Sequence, residues 1–345
     1  MQTLQLRQVN PGSLRPQYRE VEDAVVITES NTAIQVNDLT PRKPFIEANT
    51  KEVTFHHLKH DCITPVFSKD NEVTISHFDF IETVYEAASK VFPRERIDNP
   101  EIRVSHIIKG RTPEAIHKSV DELLDEDKTL YYERASFVIE IPTIHEDING
   151  NQLTLSVGGV RAYNHENLYS KKIHEKFKVF IGFKNLVCCN MCVSTDGYQD
   201  ELKALNCSEL MQKVIQMFQR YNVSKHLLMM NSFKNHNLTE HQFAQLLGKS
   251  RLYQCLPPKE QKLLPKFEFN DGQLNMIARN YYKDDAFCKN LDNTINLWNV
   301  YNLFTSANKN SYIDNFLDKA QNATDFLFGI SEAISGKDKY KWFIE

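Results

Sequence analysis

The pair Asn149-Gly150 restricts this chain more than any other feature. A two-residue type I′ turn needs positive φ at both central positions, which asparagine and glycine adopt most readily. Residues 130–144 before the pair are rich in β-branched and aromatic side chains, and residues 153–163 after it are of the same kind. Two such runs around Asn-Gly predict a long antiparallel hairpin. Residues 177–193 read as a third β region, so an antiparallel sheet has to organise this part of the chain.

Helical signals surround it. Phe78, Ile81, Val84, Tyr85 and Ala88 fall on one face and Pro93 closes the run, which predicts a helix over 78–91. Thr112 and Pro113 read as N-cap and first residue of a helix over 113–124. Short strands are expected at 63–67, 72–76 and 102–109. After Thr195 the chain reads as helices. Ser208 caps a helix with Leu210, Val214, Met217, Phe218 and Tyr221 on its apolar face, and Thr239 with Gln242 forms a capping box for 240–247, which Gly248 ends. A short helix starts at Pro257-Pro258, Asp271 caps 272–282, and further helices are expected at 294–304, 312–320 and 323–334. The fold class is therefore α+β: a mainly antiparallel sheet with flanking helices, then an all-helical C-terminal region. It divides into a flexible leader at 1–45, whose apolar run is 21–28, an α+β domain at 46–200 and a helical domain at 201–345.

Composition narrows the functions. Lys and Arg number 41 against 45 Asp and Glu, a net charge of -4, which argues against coating nucleic acid over the whole surface. Glycine occurs only 11 times, and Gly158-Gly159 lacks the spacing of a dinucleotide fingerprint. Seven irregularly spaced cysteines point to a reducing cytoplasm. No secretory signal and no membrane-spanning apolar run is visible.

Several clusters are candidates for chemistry. His56, His57, His60 and Cys62 lie close together, either as ordinary histidines or as a metal site without a second ligand pair. Cys188, Cys189 and Cys192 include one Cys-x-x-Cys, but within an apolar run read as a strand, where core packing competes with redox chemistry. Trp298, Tyr301 and Thr305 share a helical face, as core or as a ligand platform. No nucleophile–base pair, cofactor motif or metal set stands out, so a non-enzymatic protein is expected.

Charge is the stronger lead. Residues 161–184 carry Arg161, Lys171, Lys172, Lys176, Lys178 and Lys184 against Glu166 and Glu175, a net +4, with Tyr163 and Tyr169 among the interleaved aromatics. Cations for phosphates beside rings for bases are what single-strand binding requires. Arg103, Lys109 and Arg111, with His106, form a second basic stretch. Opposite in sign, Glu114, Asp121, Glu122, Asp125, Glu126 and Asp127 stand against Lys118 on the predicted helix, a net −5. Solvated surface is the plain alternative for all three stretches.

The segments RVSHIIKGRTPEAIHK (103–118), YYERASFVIEIPTIHEDINGN (131–151), FKVFIGFKNLVCCNMCVSTDG (177–197) and SYIDNFLDKAQNAT (311–324) resemble a family of bacterial proteins of unknown function. That family is found in gut anaerobes and is associated with plasmids and integrative elements. The Trp298-x-x-Tyr301-Asn302-x-x-Thr305 helix and the basic stretch before Leu186 are more distantly similar to phage- and plasmid-like proteins. The resemblance implies a mobile-element role but no catalytic residues. Two readings follow: single-stranded DNA binding in maintenance or recombination, or a protein-binding module of regulatory or counter-defence type. A homo-oligomer is compatible with both.

Overall fold

A computed structural model describes residues 43–65, 74–163 and 174–345. The expected leader lies outside the described residues up to position 42, as do Tyr169, Lys171, Lys172 and parts of the strands expected at 63–67 and 72–76. Residues 44–345 form one compact unit.

The Asn-Gly hairpin forms as its chemistry requires. Asn149 and Gly150 have φ of 54° and 76°, and the Gly150 N–H donates to Asp147 Oδ1 at 2.9 Å. They join strands Arg134–Ile148 and Asn151–Ala162, whose register slips between Ile141 and His145. Pro142 stands at this irregularity, where a residue without an N–H costs the ladder least.

In chain order the elements are β1 (Lys51–Glu52), α1 (Phe55–His60), α2 (His77–Val91), β2 (Glu101–Val104), β3 (Ile107–Arg111), β4 (Lys128–Tyr132), β5 (Arg134–Ile148), β6 (Asn151–Ala162), β7 (Glu175–Asn185), β8 (Met191–Cys192) and β9 (Tyr198–Ala204). There follow α3 (Cys207–Arg220), α4 (Val223–Phe233), β10 (Asn237–Leu238), α5 (Glu240–Cys255), α6 (Pro258–Gln261), α7 (Asp271–Lys283), β11 (Ile295–Asn296), α8 (Leu297–Asn308) and α9 (Ile313–Ile334). The main sheet runs β1-β2-β5-β6-β7-β8, with β9 also beside β7, and every pairing in it is antiparallel. The fold is α+β, with a helical C-terminal region.

The sheet is buried on both faces. Phe137, Val157, Phe177 and Val179 join a core with Phe80, Ile81 and Val84 of α2 and Leu210 and Val214 of α3. Gly159 makes close packing possible, since a Cβ there would meet the Phe80 ring at 2.6 Å. On the opposite face Val138, Val160 and Phe180 pack against Phe45 and, on α9, Ile313, Phe316 and Leu317. The first of these cores continues without interruption into the helices, through Met230, Phe243, Ile277, Trp298 and Tyr301.

Several elements differ from expectation. The stretch 113–124 is not an α-helix; it forms short 3-10 turns at Pro113–Ala115 and Val120–Glu122, with a third at Asp125–Asp127. A helix over 113–124 would carry Asp121 and Glu122 in its last turn, where negative charge opposes the helix dipole. The strand expected at 102–109 breaks at Ser105-His106 into β2 and β3. Residues 186–190 turn the chain, with Cys189 at φ 55°, so the run around the cysteines is not a continuous strand. The helix stop expected at Gly248 also fails: α5 passes this glycine, where a side chain would meet only open space, and ends at Cys255. The helices expected at 312–320 and 323–334 are one, since no proline or glycine interrupts Gln321-Asn322, and Asn322 within α9 holds the Lys266 carbonyl and the Glu268 N–H at 2.9 and 3.1 Å. Asn206 and Asn270, not Ser208 and Asp271, are the caps of α3 and α7.

Candidate functional site

The described basic residues of 161–184 do not share one open face. Arg161 on β6 is 1% exposed. Its guanidinium lies between the rings of Tyr163 and Phe177, 4.7 and 4.5 Å from their centroids, and donates to Glu175 and to the Ile75 carbonyl. Glu175 in turn accepts from the Ile75 N–H at 3.1 Å, so the pair ties the entrance of α2 to two strands. Tyr163 is buried and packs against His77 with the rings tilted, centroids 4.3 Å apart. Burial, then the nearby Arg161 charge, pushes the His77 imidazole down to about 3, against a smaller opposing effect of its hydrogen bond to the Tyr132 carbonyl.

Lys184 is also 1% exposed, with its ammonium 2.9 Å from both Glu101 and Glu140. Burial disfavours the charge, but the two carboxylates outweigh it and the pKa is raised. Lys178 donates to Asp318 and, at 2.7 Å, to the Asp314 carbonyl, and the Tyr198 hydroxyl donates to Asp318 at 2.6 Å. These bonds seat α9 on the sheet. Lys176 pairs with Glu201, whose carboxyl is held down to about 2 by Lys176 and Lys203. A cavity of about 280 Å³ lies here, lined by Val160, Phe177, Lys176, Lys178 and acidic residues of β9 and α9. Both of its lysines are engaged with carboxylates.

The second basic stretch is divided by the break at Ser105-His106. Arg103 stays on the main sheet, half-buried, with Nε and Nη2 donating to the Thr50 hydroxyl and carbonyl at 3.2 Å. Lys109 and Arg111 go with β3 and are exposed. Among the cysteines, Cys189 and Cys192 are buried, and burial raises the Cys188 and Cys192 thiols to about 12, as core residues rather than thiolates. The His57 ring lies 2.7 Å from Asp61 and 2.9 Å from the Tyr132 hydroxyl, and the His56 and His60 rings meet at a tilt. Trp298 and Tyr301 are core residues; Trp298 Nε1 donates to Asn151 at the hairpin end at 2.7 Å.

The acidic stretch is where the surface is open. The ribbon of β2 and β5 continues past the break as β3 and β4, a two-stranded sheet of its own. Residues 112–127 cap this arm. The Thr112 N–H donates to the Asp127 carbonyl at 2.9 Å and closes the loop. Within it Lys118 bonds both carboxylate oxygens of Asp127 at 2.8 Å, and the Leu124 N–H donates to Asp127 at 2.9 Å. That interior pairing leaves Glu114, Asp121, Glu122, Asp125 and Glu126 exposed. Among them Ile116, Val120 and Leu124 stand 61%, 74% and 57% exposed. Single exposed apolar residues are ordinary; three within nine positions, among five exposed carboxylates of which Asp125 pairs with Lys128 at 2.9 Å, are a patch. These three side chains were not singled out by the sequence, because their four-residue spacing reads as a helical face turned toward a core.

Fold and surface together define an α+β protein whose described basic stretch is used for internal pairing and whose acidic arm presents apolar side chains to solvent. The chain belongs to the family described as a domain of unknown function, B. theta gene description (DUF3871), which matches residues 20–344. No curated protein and no solved structure matches it. Among the described residues no helix is long and apolar enough to cross a membrane.

Proposed function

We propose that this chain is a non-enzymatic protein-binding module that engages a basic, apolar segment of a partner through the arm at 112–127. The observation that carries the reading is the exposure of Ile116, Val120 and Leu124 within an acidic surface fixed by Lys118–Asp127. Apolar contact supplies affinity, and the surrounding carboxylates select and steer a cationic partner. Single-stranded DNA binding through 161–184 asks for free cations beside open rings, whereas Arg161, Lys176, Lys178 and Lys184 each pair with a carboxylate. A regulatory or counter-defence adaptor, as the plasmid-associated resemblance implies, is the role this reading serves.

The test compares wild type with Ile116→Ser/Val120→Ser/Leu124→Ser in capture from nuclease-treated lysate, followed by rebinding of each purified captured protein. The expected outcome is salt-sensitive binding that the variant loses by at least about tenfold, the order of one interface anchor. Thermal stability should stay within about 0.5 kcal/mol, as for other surface substitutions. Equal binding by wild type and variant refutes the reading.

A further inference from the structure

A second surface mirrors the arm with its signs reversed. Gln261 of α6 donates to the Tyr253 carbonyl at 3.2 Å and folds the segment after α5 back against that helix. Residues 249–266 carry five Lys and Arg against one Glu; Arg251 pairs with Asp271 at 2.6 Å and Lys266 with Glu268, which leaves Lys249, Lys259 and Lys262 as the excess. Leu252 and Leu263 stand 58% and 85% exposed there, with Lys259, Lys262 and Lys266 also exposed. This corner has the chemistry the arm calls for: apolar side chains among cations.

We infer that the partner of the arm includes a second copy of this chain, the arm of one copy docking on the α5–α6 corner of the next. The inference rests on the protein-binding reading of the arm and names its occupant. It follows from charge complementarity: exposed aliphatic side chains in a segment with exposed carboxylates on one surface, and exposed leucines in a segment with the exposed ammonium groups of Lys259 and Lys262 on the other. The two surfaces are different patches, so the contact is heterologous, and copies add head to tail into a ring or an open chain. Both patches are small, which places the contact in the weak, transient class below about 1,200 Å². Opposed charges over short distances make it sensitive to ionic strength.

The experiment uses sedimentation or light scattering on the full chain over a concentration series at low and high salt. Wild type should rise from monomer to a mass average at or beyond twice the monomer at low salt, and return to monomer at high salt. Asp121→Lys/Glu126→Lys reverses the arm, and Lys259→Glu/Lys262→Glu reverses the corner. None of the hydrogen bonds and ion pairs described above uses these four side chains, and circular dichroism checks that each variant is folded. Each variant alone should stay monomeric; a mixture of the two should associate again, because each surface then meets its opposite. A wild type that is monomeric throughout, or a mixture that does not associate, overturns the inference. If wild type is monomeric while the arm still captures another protein, self-docking falls and the protein-binding reading stands. A labelled oligonucleotide held by a monomer through Lys259 and Lys262 would likewise overturn it.

Discussion

His77 and His226 are the residues whose burial has the plainest measurable effect. Burial lowers His226 to about 4, against a smaller opposing pull from Asp196, while its Nδ1 lies 2.6 Å from the Tyr221 hydroxyl; His77 lies at about 3. The folded chain keeps both rings neutral down to those values, whereas the unfolded chain takes up protons below the usual 6.5. Stability is therefore full above about pH 6.5 and falls as the pH drops toward 4 and 3, by up to ~1.4 kcal/mol per pH unit for each ring. Urea unfolding at about pH 7.5 and about pH 5, on either side of the ordinary histidine range, should show a clear loss at the lower pH. His226→Gln should have a shallower slope, whatever its absolute stability. Identical slopes for variant and wild type would remove this histidine from the account.

At the scale of elements, the arm is held by two internal ion pairs, of which Lys118–Asp127 is the buried one and Lys128–Asp125 the exposed one. Removing the ammonium in Lys118→Ala leaves the buried Asp127 carboxylate with the Leu124 N–H and loosens the turn that Thr112 closes. Amide exchange over 112–127 should quicken about three- to tenfold while exchange in β5 and β6 stays unchanged, a local opening rather than a global one. Equal quickening throughout would mean that the arm belongs to the global unfolding unit. The arm also shows where sequence reading runs out. Asn149-Gly150 was legible because its φ values are a property of the two residues, and the Thr239–Gln242 box because it is local. The 3-10 turns were not, because Lys118 reaches nine positions ahead to Asp127. Polar β9 (YQDELKA) shows little alternation, and its place is given by β7, to which the chain returns after β8. Cations and aromatics interleave over 161–184, but composition does not say that Glu101, Glu140, Glu201 and Asp318 meet Lys176, Lys178 and Lys184 from distant elements.

Across the whole molecule, one core joins the sheet to the helices. Asn302 on α8 accepts from Asn185 Nδ2 at 3.0 Å, its own carbonyl accepts from Asn190 at 3.0 Å, and Trp298 bonds the tip of the β5–β6 hairpin. A chain so connected should unfold in a single transition. Tryptophan fluorescence, which reports Trp298 and Trp342, and far-ultraviolet circular dichroism should give coincident urea curves. Separate midpoints would divide the molecule into independent parts.

The buried ions also limit how the family can change over time. Lys184 is tolerated because Glu101 and Glu140 face it, and Arg161 because Glu175 does. Losing a carboxylate first strands a buried charge, at a cost of about 3–5 kcal/mol, whereas replacing the whole group by apolar residues can be nearly neutral. Relatives should therefore keep or exchange these residues as sets, so that positions 101, 140 and 184 are inherited as one character and positions 161 and 175 as another.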